Sequence, residues 1–316
     1  MVSKTVSLHF KTEKMRPIFS SASPGFKIAY LFLWLFIGVF AAGIFTRLVW
    51  MIPGLGDPGD RVLIYVSSAS QSIFAIALPA YLAVAHTDAR PLRYLKIGNN
   101  GRMMQKIVFA VLIFCVSYLF TSFMAQWNSS MDLPESMSDI EQMMRSMEDA
   151  AMKTTELLLS GSTPATFILN LVIVAGLAAV SEELFFRGAL QQFLLEKFRN
   201  GHAAVWLTAL LFSMVHLQFY GFLPRMILGA LLGYLFLYTQ NLWVPVIFHF
   251  INNATVIVLH YFWGDSAWFS RLDEMPVTVP YLAAAVVSAL LTLLLFRIYV
   301  KRDQKSVPKS ETIHSS

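Results

Sequence analysis

TFILNLVIVAGLAAVSEELFF, residues 166–186, with Arg187 directly after it, is the stretch on which the fold turns. Its apolar run has the length that carries a helix across a hydrocarbon layer, about 20 residues. Yet Glu182, Glu183 and Arg187 crowd together at its end. A charged side chain at the centre of a bilayer helix costs about 2.5–3.5 kcal/mol on insertion scales, so three together require partners or a water-filled cavity. The stretch therefore reads as a membrane helix carrying a functional site.

Composition extends that reading to the whole chain. Of 316 residues 56% are hydrophobic and 14% charged, a balance foreign to soluble domains. Apolar windows fall at 28–51, 62–85, 107–126, 166–186, 203–217, 222–238, 244–262 and 277–298, which predicts an all-α, polytopic membrane bundle of about eight transmembrane helices. The window at 203–217 is short enough to need tilting or an interfacial end. The basic residues gather around Lys4–Lys27, Arg90–Lys106, Arg187–Arg199 and Arg297–Lys309, all on one side of an even-numbered bundle. By the positive-inside rule both termini are cytoplasmic. The net charge of +5 then reports topology and contact with anionic lipid, with no nucleic-acid partner. The first window is too long for a signal-peptide core and is expected to remain as a span.

The organisation that follows is a cytoplasmic segment 1–27, one membrane-embedded helical domain 28–300 and a flexible cytoplasmic tail 301–316. Within the domain, 127–162 forms an amphipathic loop and helix, and 160–265 holds the catalytic core. The 127–162 segment is acidic, and Ile140, Met143, Met144, Met147 and Ala151 follow helical spacing within it. It is expected either to rest on the bundle as a connector or to act as a lid or docking surface for substrate. Cys115 is the only cysteine and is expected to pack in its helix.

Three clusters carry the chemistry. Glu183 and Arg187 are four apart and share a helix face, so they can pair, while Glu182 lies about 100° around the helix and is free to react. Phe212 and His216 are again four apart, as are His249 and Asn253. One glutamate, two histidines and an asparagine from three helices can converge on a water. Glu182 would take its proton during attack on a peptide carbonyl, His216 and His249 would orient it or protonate the leaving amine, and Asn253 would donate to the oxyanion. Asn252, adjacent, could take the place of Asn253. One tension is built in: His249 lies early in its window and His216 late in one that runs the same way, so their depths agree only if a window limit shifts.

EELFFR (182–187), FSMVH (212–216) and HFINN (249–253) resemble the EExxxR, FxxxH and HxxxN motifs of the CPBP family, which includes the CAAX prenyl endopeptidases and the bacterial Abi proteins of bacteriocin processing and self-immunity. The resemblance implies an eight-helix intramembrane endopeptidase in the cytoplasmic membrane of a bacterium. Its substrate would be a peptide or protein at the membrane, with or without a lipid group. Glu182 takes the position of the family's catalytic glutamate, completed by Glu183 and Arg187; His216 and His249 take its histidines and Asn253 its oxyanion asparagine. The family has been described both as metalloproteases and as glutamate-dependent proteases. Zn2+ held by Glu182, His216 and His249 is the alternative to a metal-free site. The metal-free reading is favoured, because no HExxH pair fixes two ligands on one helix and zinc would leave no separate base except Glu183. A proton-relay transporter and a non-catalytic toxin-immunity protein stand as alternatives of another class; cleavage separates them from a protease.

Overall fold

The computed structural model describes residues 17–52, 61–98, 101–161, 163–266 and 276–306, all of it helices and their connections. The helices longer than one turn are α1 (Pro24–Trp50), α2 (Arg61–Thr87), α3 (Met103–Ser129), α4 (Ser138–Leu159), α5 (Pro164–Phe198), α6 (Gly201–Met214), α7 (Phe222–Thr239), α8 (Trp243–Trp263) and α9 (Val279–Ser306). Among the described residues seven are long and apolar enough to cross a membrane; α6, of 14 residues, is a shorter apolar helix, and α4 is the acidic segment. The protein is an integral, multi-pass membrane protein. Most of the cytoplasmic segment expected at 1–27 and most of the tail expected at 301–316 lie outside the described residues, although α9 continues as helix to Ser306.

Local chemistry sets the limits of the decisive helices. Pro164 opens α5 behind Thr163, whose hydroxyl accepts from the Thr166 amide at 3.2 Å. The helix does not stop near Phe186, as the apolar window predicts; it runs 35 residues to Phe198. Beyond the window the buried polar residues find backbone partners: Gln191 donates to Gly233 O at 3.0 Å and Gln192 to Tyr94 O at 2.7 Å. Hydropathy falls where these residues begin, but their hydrogen bonds let the helix stay buried. Arg199 then turns left-handed (φ 51°), and Asn200 caps α6 by accepting from the amides of His202 and Ala203. A two-residue corner results.

Between helices surrounded by lipid, apolar burial supplies little drive, so small residues and hydrogen bonds set the packing. Gly229 and Gly233 give α7 a smooth stripe against α6. A methyl group on Gly233 would lie 2.9 Å from Val205 Cγ1, and one on Gly229 would lie 3.1 Å from Ala209 Cα. Gly38 does the same for α1, resting on the backbone of Phe74 and Ala75 in α2. α9 is tied to α3 by Ser288, which donates to Val116 O at 2.5 Å, and by Tyr281, which donates to Ser122 at 2.9 Å. Two apolar clusters follow: Leu31, Val84, Phe185, Leu190 and Phe193 join α1, α2 and α5, while Phe109, Ile113, Leu235, Phe248 and Phe296 join α3, α7, α8 and α9. Cys115 does not pack in the bundle. α3 buries the face of Ile113 and Ser117, and Cys115 lies exposed on the other side.

Candidate active site

α5 brings the first cluster to the centre of the bundle. It is not a regular α-helix there: Asn170–Leu177 and Leu184–Gln191 are wider π turns on either side of the six residues Ala178–Glu183. Such turns are uncommon and gather at functional sites. Nothing in hydropathy or residue spacing marked them.

Glu183 and Arg187 are completely buried and joined at 2.7 Å, Arg187 Nη1 donating to Glu183 Oε1. Arg187 Nη2 donates to Gly229 O at 3.0 Å, through the gap that a glycine leaves on α7. The same Glu183 Oε1 lies 2.8 Å from His249 Nδ1. Glu183 therefore does more than neutralise an arginine. With a proton on Nδ1 donated to the carboxylate, His249 presents Nε2 as an acceptor, 3.8 Å from Glu182 Oε2. The histidine is hydrogen-bonded to Glu183 and lies beside Glu182 without a bond to it. Glu182, unlike its neighbour, keeps part of its side chain exposed, 17% against none.

His216 lies beyond the end of α6, in the turn after Met214 and not on the helix that the 203–217 window predicts. Its spacing from Phe212 still holds the ring, because His216 Nδ1 lies 2.8 Å from Phe212 O and can donate to it. Nε2 is again the atom left for chemistry. Phe212 explains the aromatic position of its motif: its ring meets His216 at 5.2 Å and His249 at 6.0 Å, with the Arg187 guanidinium 4.8 Å from its centre. Sharing one aromatic neighbour brings both histidines to one place in the bundle. The window limit that shifts is that of α6, which starts at Gly201 and stops at Met214, before His216. Asn253 lies one turn along α8 from His249, accepts from Asn252 Nδ2 at 3.2 Å and donates weakly to Val174 O at 3.4 Å. Both asparagines face the same cavity.

Two cavities meet at this cluster, and Glu182 and His216 line both. One, about 830 Å³, opens between α1 and α2 and is walled by apolar residues such as Leu35, Val39 and Ala42. The other, about 700 Å³, holds His249, Asn252, Asn253 and a residue that motif reading passed over, Arg225. An arginine in the first turn of an apolar helix was the available signal. As for zinc, among the described residues no three of His, Cys, Asp and Glu come together closely enough to hold a metal ion. Glu182, His216 and His249 do not form a ligand set in this geometry.

Comparison with known proteins adds a match over part of the chain. Residues 164–255 match the family model described as type II CAAX prenyl endopeptidase Rce1-like, a span that includes every candidate site residue. YpbD of Bacillus subtilis, described as an uncharacterized protein, is 31% identical over 91 residues, which is 28% of this chain and 43% of that one. The matched region thus spans less than half of that relative. No solved structure matches the chain.

Proposed function

We propose, from the match of residues 164–255 to the family model described as type II CAAX prenyl endopeptidase Rce1-like, that the protein is an intramembrane endopeptidase in which Glu182 is the general base. The observation that carries this is the division between adjacent carboxylates. Glu183 is buried against Arg187 and His249, whereas Glu182 faces the junction of both cavities, 3.8 Å from His249 Nε2. Water held among Glu182, His216 and His249 attacks the carbonyl carbon of the scissile bond and loses a proton to Glu182. Asn253 donates to the oxyanion, as an amide side chain can from this wall of the cavity. As the tetrahedral species collapses, the carbon–nitrogen bond breaks and the amine leaves with a proton delivered through a histidine. The products are a carboxylate and an amine.

The reading is metal-free, because no HExxH pair fixes two ligands on one helix and zinc would leave no separate base except Glu183. Substrates in this proposal are peptides or proteins presented within the membrane, with bacteriocin-type processing or self-immunity among the roles such cleavage can serve. The termini face the cytoplasm of a bacterium, in keeping with the basic segments beside them.

The test is cleavage by protein purified into lipid nanodiscs, together with a search of membrane proteomes for a truncated product. Glu182→Gln is expected to lower turnover by about 10²–10⁴-fold and Asn253→Ala by about 10²–10³-fold, with both variants still folded. Chelation should leave wild-type turnover unchanged. A folded Glu182→Gln variant that cleaves normally sinks the mechanism; stoichiometric zinc whose removal stops cleavage sinks the metal-free form.

A further inference from the structure

Arg225 stands in the wall of the polar cavity with Glu182, His216, His249 and both asparagines, yet the mechanism above gives it no task. Its guanidinium is only half used. Nη2 donates to Gln218 Oε1 at 2.7 Å, while Nη1 is buried and has no hydrogen-bond partner. Gln218 is engaged in turn, donating to Glu148 Oε1 of α4 at 3.3 Å. The carboxylates near enough for Arg225 to sense are Glu148 and Glu182, and it is hydrogen-bonded to neither. Gly221 forms the shelf beneath the group: a methyl there would lie 3.0 Å from Nη2.

A cation held at membrane depth with a buried donor unused is an expensive arrangement, and such groups face a ligand or a pathway. The planar guanidinium fork matches a carboxylate, which accepts two parallel N–H bonds. The two cavities differ in what they can solvate. Apolar side chains suit the space beside Leu35, Val39 and Ala42, whereas a carboxylate placed there would be stranded. Beside Arg225 it would be paired.

We infer that Arg225 is a specificity-determining residue that binds a carboxylate of the substrate, at its chain terminus or on an acidic side chain, and so sets which peptide bond reaches Glu182. The inference rests on the endopeptidase reading for its consequence, since anchoring a charged group on one side of the site fixes the register of cleavage. As a binding statement it can be measured without turnover.

The experiment uses full-length protein in nanodiscs and three fluorescent apolar peptides: one with a free C-terminal carboxylate, its C-terminal amide, and that amide with a glutamate next to its end. Wild type is expected to bind the free acid about tenfold or more tighter than the plain amide. Arg225→Gln should bring that ratio near one without weakening the amide, and Arg225→Lys should keep part of it. Tight binding of the glutamate peptide assigns the side-chain source; binding of the free acid alone assigns the terminus. Equal binding of all three peptides by wild type, no binding of any peptide, or equal weakening of the carboxylate-bearing and plain amide peptides by Arg225→Gln overturns the inference, the last because it marks a purely structural arginine. Acid preference without cleavage would leave Arg225 its role and remove the endopeptidase reading. Cleavage without acid preference would do the reverse.

Discussion

At the scale of single residues the site depends on one oxygen atom. Glu183 Oε1 receives both Arg187 and His249, so one carboxylate neutralises a buried cation and orients a histidine. The spacing of four predicted the ion pair; the bond to His249 crosses between helices and no spacing rule reaches it. Glu183→Ala leaves the Arg187 charge buried without compensation, a loss of about 3–5 kcal/mol in comparable pairs. Thermal unfolding in detergent should show that loss. The double variant Glu183→Leu with Arg187→Met should recover most of the stability, since apolar side chains of similar volume cost no charge burial, but none of the activity, since His249 loses its anchor. If the double variant is no more stable than Glu183→Ala, the pair is not held by charge compensation.

At the scale of elements, hydropathy located the spans well and their ends poorly. A window measures apolar content, so it ended the fourth span where glutamines begin, although the amide NH2 groups of Gln191 and Gln192 donate to carbonyls of Gly233 and Tyr94 and the helix continues. It drew the fifth span through His216, because a turn inside the bundle keeps an apolar composition. The three motifs were legible because their residues recur four apart, a spacing that still holds His216 against Phe212 in the turn after α6. Arg225 was not, because its meaning comes from the cavity it enters. The Gly229 and Gly233 pair was legible in principle as small residues four apart, and the structure gives it two tasks: close approach of α6, and open carbonyls for Arg187 and Gln191. Gly233→Ala must displace Val205 Cγ1 at 2.9 Å and Gln191 Oε1 at 3.0 Å, and overpacking of this kind costs about 1–3 kcal/mol. The measurement is the unfolding midpoint in detergent, where an unchanged midpoint would mean that the contact relaxes freely.

At the scale of the whole molecule, the acidic helix α4 is tied down over the polar cavity, which its Thr155 and Leu159 help to line. Arg61 of α2 holds its far end through Leu157 O at 3.0 Å and Ser160 at 2.9 Å. Its near end rests on Tyr220, whose ring lies under the Arg145 guanidinium of α4 and whose hydroxyl donates to Glu141 at 3.4 Å, while Arg145 joins Glu141 along α4 at 2.6 Å and Asp132 at 2.9 Å. The hydrogen bonds from Arg145, helped by the Leu133 amide, hold the Glu141 carboxyl below its ordinary 4.5. A carboxyl whose folded pKa is depressed stabilises the folded arrangement fully above its ordinary value and ceases to do so as pH falls through the lower, folded one. The hold of α4 is therefore expected to be constant through neutrality and to weaken only in acid. A spin label at Met143, which is exposed on α4, reads this directly. Its mobility should rise on acidification below the usual carboxylate range, and Glu141→Gln should be mobile at every pH. A transition near neutrality, where histidines titrate, would assign the hold to another group, and a Glu141→Gln variant that behaves as wild type would remove Glu141 from it.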